Sequence, residues 1–252
     1  KRWAQTAALH RSRIYNVPRL PRVGDHDDCL IESGFGMDLD PVKSWMEDKT
    51  LKLIIICSPN NPTGNCIERS VIEKILSYFN GILLLDEAYI DFADQPSMKD
   101  SIMKFPNLIV MQTFSKAFGL ASVRVGMAFA NDQIIKYFNK VKPPYNISRL
   151  NQEAVLRKLR NTEAYKRQVA QIKTERARLS KEIAKLSFVV KVYPSDANFL
   201  LVRMKDASLI YDYLVNRGII VRNRSSVINN CLRITIGTKT ENKRMLKALK
   251  DR

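Results

Sequence analysis

The sequence has few cysteines, few histidines and no long apolar run. Its 252 residues include four cysteines and two histidines, and neither residue type shows the paired spacing typical of a metal site. Apolar runs such as residues 53–57 are far shorter than the roughly 20 residues that a membrane-spanning helix needs, and no signal-peptide core is present. These absences disfavour a disulfide framework and a metal centre, and they favour a reducing, cytoplasmic setting.

Acidic residues are also scarce relative to basic ones. The chain has 42 lysines and arginines against 25 acidic residues, a formal net charge of +17. Such a balance is compatible with nucleic-acid binding or with attraction of anionic small molecules. The densest basic block, residues 157–185, also holds Glu163, Glu175 and Glu182 and keeps its apolar residues at helical spacing. We therefore interpret it as the solvated face of a long helix, which makes nucleic acid a poor candidate for the partner.

Residues 113–126 carry the clearest chemical signal. They follow an apolar run that predicts a strand buried on both faces, and Lys116 stands among apolar neighbours. Its amine can form a Schiff base with an aldehyde, and partial desolvation would lower its pKa. Thr113, Ser115 and Arg124 can bind a phosphate carried by the same molecule. On these residues alone, an ordinary surface lysine beside a turn fits equally well.

Two further predicted strands end in polar residues. Asn61 follows strand 53–57, and Asp86 and Tyr89 lie at the end of the next strand. In open α/β sheets, ligands bind at the carboxyl ends of the strands. A buried carboxylate can keep a pyridine nitrogen protonated, an asparagine and a tyrosine can hydrogen bond its phenolic oxygen, and a lysine can hold its aldehyde. Together these strand ends predict a site for such a ring.

The order of predicted elements indicates an α/β protein. Strands and helices alternate up to about residue 150, which predicts a parallel sheet with crossover helices. A long helical region follows, and from about residue 187 the pattern changes to a small α+β unit. Specific predictions are a capping box at Ser70 and Glu73, a strand over 125–130, a helix from Asp132 to Asn139, a helix over 207–217 and a second capping box at Thr238 and Glu241, with a short helix beginning at Asp40.

The strand-end motifs resemble those of a known family. Asn-Asn-Pro-Thr-Gly, Asp-Glu-Ala-Tyr and Ser-Lys-(x)7-Arg are similar to motifs of the fold-type I aminotransferases that use pyridoxal phosphate. Other stretches are closer still to the histidinol-phosphate aminotransferase family, namely 144–148, 196–199, 220–224 and 231–238. The resemblance runs from about Met37 to the end. It implies an α/β fold with a mostly parallel large domain and a small α+β domain at the carboxyl end.

The resemblance also assigns roles to individual residues. It implies pyridoxal phosphate as cofactor, with Lys116, Asp86 and Tyr89 in catalysis. The cofactor-binding set would be Asn61, Asp86, Tyr89, Thr113, Ser115, Lys116 and Arg124, and the substrate-binding set Arg233, Arg222 and Asn198. Arg233 lies between apolar residues of a strand, where a guanidinium can clamp a carboxylate or phosphate. Arg222 matches a second arginine near the substrate phosphate, whereas Arg224 is expected to be a surface residue.

The activity implied by the resemblance is transamination of L-histidinol phosphate with 2-oxoglutarate, in a cytoplasmic homodimer. Two alternatives stay open within the same scaffold: an aromatic amino acid aminotransferase and a decarboxylase of a phosphorylated amino acid. A third is a regulatory module that binds pyridoxal phosphate and uses its positive charge on DNA. No helix-turn-helix pattern with a basic recognition helix is evident for that alternative.

Residues 1–24 match neither the family nor a clean periodic pattern, and we interpret residues 24–36 as a polar loop. The chain begins with Lys1 rather than Met, and we expect a fragment or an altered start. Members of the family carry a longer stretch ahead of residue 37, with a turn that cups the cofactor phosphate, an aromatic residue that stacks on the ring and an arm that crosses the dimer. We therefore expect a partial large domain over 37–150 and a linking helix with the small domain over 151–252.

Overall fold

A computed structural model describes residues 13–17 and 49–252 of the chain. The helix predicted to begin at Asp40, and most of the segment 1–36, lie outside these residues. The three domain ranges, 1–36, 37–150 and 151–252, stay predictions. Two separate sheets organise the described part, one of five strands and one of four.

The larger sheet is mostly parallel, as predicted. Its strands lie in the order β1–β2–β3–β4–β5, in which the first four are parallel and β5 is antiparallel to β4. The strands are β1 (Arg13–Val17), β2 (Leu51–Cys57), β3 (Ile82–Asp86), β4 (Leu108–Thr113) and β5 (Gly126–Phe129). Cys57 is in register with Asp86, which is in register with Met111. The carboxyl ends of β2, β3 and β4 therefore meet at one edge.

The core of the larger sheet comes from the apolar strands and the helix between β2 and β3. That helix, α1 (Arg69–Tyr78), buries Ile72, Ile75 and Leu76. They pack in one cluster with residues from β2, β3 and β4, among them Ile54, Ile56, Leu83, Leu85, Leu108 and Val110. Each fully buried Ile, Leu or Val contributes about 1.5–3 kcal/mol relative to an exposed one. Burial on this scale holds the three strand ends in fixed register.

Helices α2 (Asp132–Val141) and α3 (Arg149–Leu159) lead from this sheet into the longest helix, α4 (Thr162–Ile183). The smaller sheet follows, with β6 (Val189–Val192), β7 (Phe199–Met204), β8 (Arg222–Asn223) and β9 (Cys231–Thr235) in the antiparallel order β6–β7–β9–β8. Helices α5 (Ala207–Val215) and α6 (Lys239–Lys250) pack with α4 on one face of it. The opposite face carries the polar side chains discussed below.

Helix α4 joins the two sheets. Leu179 and Ile183 are fully buried in the core of the smaller sheet. Ile172 packs against that core and also against a second cluster, which contains Tyr89 from the larger sheet and Phe199 from the smaller one.

No helix in the described residues is both long enough and apolar enough to cross a membrane.

The capping box predicted at Ser70 and Glu73 is wrong. Helix α1 begins at Arg69 with Glu68 as its N-cap, and it has no side-chain cap. Ser70 therefore lies inside the first turn, and the Glu73 carboxylate instead accepts a hydrogen bond from Nε of Arg69 at 3.0 Å. The box at Thr238 and Glu241 is confirmed, because both of its hydrogen bonds are present at the start of α6.

Other boundaries differ by one or two residues. Asn131, rather than Asp132, caps α2 by accepting a hydrogen bond from Ile134, and the helix continues to Val141. Helix α5 ends at Val215, whereas 217 was predicted, and β5 spans 126–129 within the predicted 125–130. Side-chain caps and fraying ends decide such positions, and periodicity alone does not resolve them.

Candidate active site

Asp86 and Lys116 lie at the ends of neighbouring strands. Asp86 is the last residue of β3, and its Oδ1 accepts a hydrogen bond from the Ala88 amide at 3.0 Å. Burial raises the pKa of Asp86, against the lowering effects of the Ala88 amide and the Lys116 ammonium. Nζ of Lys116 lies 5.1 Å from the centroid of the Tyr89 ring. The structure therefore brings together the carboxylate, the amine and the phenol that the sequence singled out.

The hydroxyls and the arginine predicted to bind phosphate occur where β4 meets β5. Thr113 Oγ1 donates to Ser115 Oγ at 3.0 Å and accepts from the Ser115 amide at 3.1 Å. Thr113 opposes Gly126 in the ladder, so the loop between them returns to the same sheet end. Arg124 is exposed, has a left-handed φ of 56° and donates from Nη1 to the Ala121 carbonyl at 2.9 Å. All three side chains thus belong to the end of the sheet that carries Lys116.

A hydrogen bond joins the two sheets at this site. Nη1 of Arg233, on β9, donates to Oδ1 of Asn61 at 2.7 Å across 172 residues of sequence. Burial is the main cause that lowers the pKa of Arg233; Arg224 and Arg222 act in the same direction, and Tyr89 opposes them. The predicted substrate arginine is therefore in direct contact with the predicted cofactor asparagine.

Phe199 is part of the site but was not identified from the sequence. Its ring is 2% exposed and meets the Tyr89 ring edge to face, with centroids 5.3 Å apart. The guanidinium of Arg233 lies 5.0 Å from the Phe199 centroid. Packing against the Phe199 ring therefore restricts the side chains of Tyr89 and Arg233. Its position directly after Asn198 was the only signal that could have found it.

Asn198 is half-buried in the loop that precedes β7. Its carbonyl accepts a hydrogen bond from the Ile236 amide at 2.9 Å. The carbonyl of the preceding residue, Ala197, accepts a hydrogen bond from Nη1 of Arg176 at 2.8 Å. The same Nη1 also donates a hydrogen bond to the Phe92 carbonyl at 3.1 Å. Arg176 therefore links the Asn198 loop to the segment that follows Tyr89. The prediction of a solvated helix face does not hold for this half-buried arginine.

Arg222 and Arg224 lie on the edge strand of the smaller sheet and just after it. Arg222 is exposed and pairs with Arg233 in the ladder. Arg224 is half-buried, and its Nε is buried with no hydrogen-bond partner among the described residues. The expectation that Arg224 is a surface residue is therefore wrong, because the side chain is half-buried and its Nε is shielded from solvent.

The three cysteines in the described part of the chain give no sign of a second reactive centre. Cys57, Cys66 and Cys231 are free, and burial raises the pKa of Cys57 and of Cys66 to about 12. Thiols with such pKa values stay protonated and are poor nucleophiles at neutral pH. No group of three or more His, Cys, Asp or Glu residues that could hold a metal ion occurs within 49–252 or β1.

Residues 23–249 match the family model described as aminotransferase class I and II. The chain is 48% identical to the histidinol-phosphate aminotransferase of Christiangramia forsetii, over 90% of this chain and 65% of that protein. It is likewise 48% identical to the histidinol-phosphate aminotransferase of Bacteroides thetaiotaomicron, over 90% of this chain and 66% of the relative. The chain thus spans slightly less than two thirds of the length of these curated relatives.

Solved structures share the fold. The histidinol-phosphate aminotransferase from Clostridium acetobutylicum superposes with a TM-score of 0.84 at 24% identity, covering 95% of this chain and 77% of that one. The Sinorhizobium meliloti enzyme of the same name, determined in complex with pyridoxal-5'-phosphate, gives a TM-score of 0.76 at 28% identity, covering 85% and 60%. Together with the match over residues 23–249, these likenesses establish that the chain has the α/β fold of the fold-type I transferases and belongs to the class I and II aminotransferase family.

Proposed function

We propose that this chain catalyses transamination of L-histidinol phosphate with pyridoxal phosphate as cofactor and 2-oxoglutarate as amino acceptor. The observation that carries the proposal is the hydrogen bond between Asn61 and Arg233. It places a guanidinium, suited to an anionic substrate, against the strand ends that carry Asp86, Tyr89 and Lys116. The names of the curated relatives support the same substrate. A homodimer and a cytoplasmic location form part of the proposal.

The residues at the strand ends fit the proposed cofactor. Oδ1 of Asp86 accepts a hydrogen bond from the Ala88 amide, and the other carboxylate oxygen could accept one from the protonated ring nitrogen. Thr113 donates to Ser115, so the Ser115 hydroxyl hydrogen is left to donate to a phosphate. Arg124 is exposed at the same sheet end and adds a charged donor. Asn61 and Tyr89 would hydrogen bond the phenolic oxygen, and Lys116 would hold the aldehyde carbon through its amine.

The chemistry divides between the cofactor and the chain. When bound, the pyridine ring supplies an acceptor for the electron pair that is released at the substrate Cα. The amine of Lys116 would act as the general base that removes the Cα proton, and then as the general acid that delivers a proton to the carbon that carried the cofactor aldehyde. Asp86 keeps a proton on the ring nitrogen, and the nearby ammonium of Lys116 favours its ionised form. The packing of Phe199 beneath Tyr89 and Arg233 keeps the phenol and the guanidinium in place.

The substrate end would be held by arginines of the smaller sheet. Arg233 can clamp a carboxylate or a phosphate with two parallel hydrogen bonds, as the alternation of a carboxylic and a phosphorylated substrate requires. Arg222, its partner in the ladder, would add a second guanidinium for the phosphate. Asn198 would line the cleft between these arginines and the cofactor.

Arg222→Ala tests the proposed substrate. Losing one charge-assisted hydrogen bond in a desolvated site costs roughly 2–4 kcal/mol, or about 30- to 1000-fold in kcat/KM. We expect that loss for histidinol phosphate and a much smaller one for amines without phosphate. Arg233→Ala is expected to impair both glutamate and histidinol phosphate. The measurement is the kcat/KM of each substrate for the protein supplied with pyridoxal phosphate.

Arg167→Ala is the matched control, because Arg167 is an exposed arginine of α4 with no ion pair in the described part of the chain. An unchanged ratio of kcat/KM for phosphorylated and plain substrates in Arg222→Ala would favour an aromatic aminotransferase. Release of carbon dioxide from a phosphorylated amino acid would favour a decarboxylase. Tight DNA binding that weakens steeply with salt would favour a regulator.

A further inference from the structure

Four arginines share one face of the smaller sheet. In the ladder, Arg233 of β9 is opposed by Arg222. Cys231 lies two residues before Arg233 on β9. Arg203 of β7 opposes it on one side. On the other side, the Cys231 carbonyl accepts a hydrogen bond from the Arg224 amide at 2.8 Å. Because side chains alternate along a strand, these residues point to the same face, opposite the helices. Arg224 is thus the diagonal neighbour of Arg233, at the spacing of about 7–8 Å that is usual for such residues and within reach of long side chains.

Several polar atoms on this face are buried without a partner. Nε of Arg203, Arg224 and Arg233, and Oγ of Ser225, are buried and have no hydrogen-bond partner among the described residues. Nearly all buried polar groups in native proteins are paired, and exceptions call for a specific explanation. All four atoms can donate a hydrogen bond. A ligand rich in acceptor oxygens would satisfy them.

The charge of this face also lacks a compensating ion pair among the residues that the structure describes. None of the ion pairs formed in the described residues includes Arg203, Arg222, Arg224 or Arg233. Arg224 and Arg222 both lower the pKa of Arg233, as burial does. Guanidinium groups this close, partly desolvated and without a carboxylate, favour a ligand that carries more than one negative charge.

We propose that Arg224 is a further specificity-determining residue, which together with Arg222 binds the phosphate ester of the substrate. The inference rests on the proposed function and adds a residue to its substrate site. Arg224 suits this role better than Arg203, because it follows Arg222 on the same strand edge and is diagonal to Arg233, whereas Arg203 hydrogen bonds with the Cys231 thiol. The Ser225 hydroxyl supplies an adjacent donor. A phosphate monoester presents three acceptor oxygens and nearly two negative charges, enough for this set.

The test measures binding of inorganic phosphate by titration calorimetry at constant ionic strength, with acetate as the singly charged comparison. We expect phosphate to bind Arg224→Gln about tenfold more weakly than the unsubstituted protein, because one charge-assisted hydrogen bond pair is lost. Acetate binding should change by less than about threefold, since the Arg233 fork remains. Arg167→Gln, the same chemical change on an exposed helix face, should leave phosphate binding unaltered.

Arg224→Lys keeps the positive charge but removes the planar guanidinium fork. This variant replaces Arg224→Gln in the test if circular dichroism shows that the Gln variant is unfolded. Its phosphate affinity should fall several-fold. Equal phosphate affinity in Arg224→Gln, Arg224→Lys and the unsubstituted protein would overturn the inference, as would the absence of saturable phosphate binding in the unsubstituted protein. Failure of the proposed function can be distinguished from failure of this inference. If phosphate binding depends on Arg224 but the protein transaminates no phosphorylated amine, the proposed activity is refuted and the phosphate site is not.

Discussion

Replacing Lys116 with arginine is expected to lower the transamination rate by at least about a thousandfold, within the range of a lost general base and a lost covalent attachment. Arginine retains the positive charge near Asp86 but stays protonated, so it provides neither a nucleophile nor a base. The second measurement is covalent labelling. With pyridoxal phosphate and borohydride, the unsubstituted protein should carry the label on Lys116, and the variant should carry none there.

Lys136→Arg is the control, because Lys136 is an exposed lysine of α2. It should keep full activity and full labelling of Lys116. Absorbance near the boundary of the visible and ultraviolet regions follows the attachment without a substrate. Label recovered on a different lysine of the unsubstituted protein would remove Lys116 from the centre of the site, whatever the activity of the variant.

Asp86→Asn is expected to preserve the fold and to lower kcat by about 10²- to 10⁴-fold, the usual range for a group that controls a proton in the transition state. The amide oxygen of asparagine can still accept the hydrogen bond from Ala88. Burial raises the pKa of Asp86, which means that the folded protein disfavours the charged carboxylate and should tolerate a neutral amide. What the amide does not provide is a negative charge beside a protonated ring nitrogen.

The measurement for this variant is single-turnover kinetics of the proton-transfer step, together with circular dichroism. Asp212→Asn, on the exposed face of α5, gives the same chemical change away from the site and should leave kcat unchanged. Near-normal turnover by Asp86→Asn would contradict the role of the carboxylate and would require another group to hold the ring proton.

The larger sheet and its strand ends were predictable because local patterns determine them. Apolar runs that alternate with amphipathic helices require a parallel sheet, and parallel strands deliver their carboxyl ends to one edge. Asp86 ends one such run and Lys116 follows three residues after the next strand, so their proximity followed from sequence order. The Thr238 cap was predictable for the same reason, since its hydrogen bonds span only three residues.

Arg176 and Phe199 were not predictable, because their environments are made by distant parts of the chain. Arg176 lies in a basic helix block, and its contacts with the carbonyls of Phe92 and Ala197 come from residues far away in the sequence. Phe199 is an apolar strand residue like many others until Tyr89 packs on its ring. Tertiary contacts of this kind leave no mark in residue spacing.

The position of α4 between the two sheets has a consequence for how the protein unfolds. Ile172 belongs to the apolar contacts of both units, and Arg176 bonds to backbone carbonyls on both sides. Unfolding of either sheet would therefore remove packing contacts that stabilise the other sheet. We expect a single calorimetric transition, with a van't Hoff enthalpy equal to the calorimetric one, and two resolved transitions would contradict this coupling. The cleft between the sheets should then disappear in the same step as both cores, so that heating produces no population with one intact sheet and a broken site.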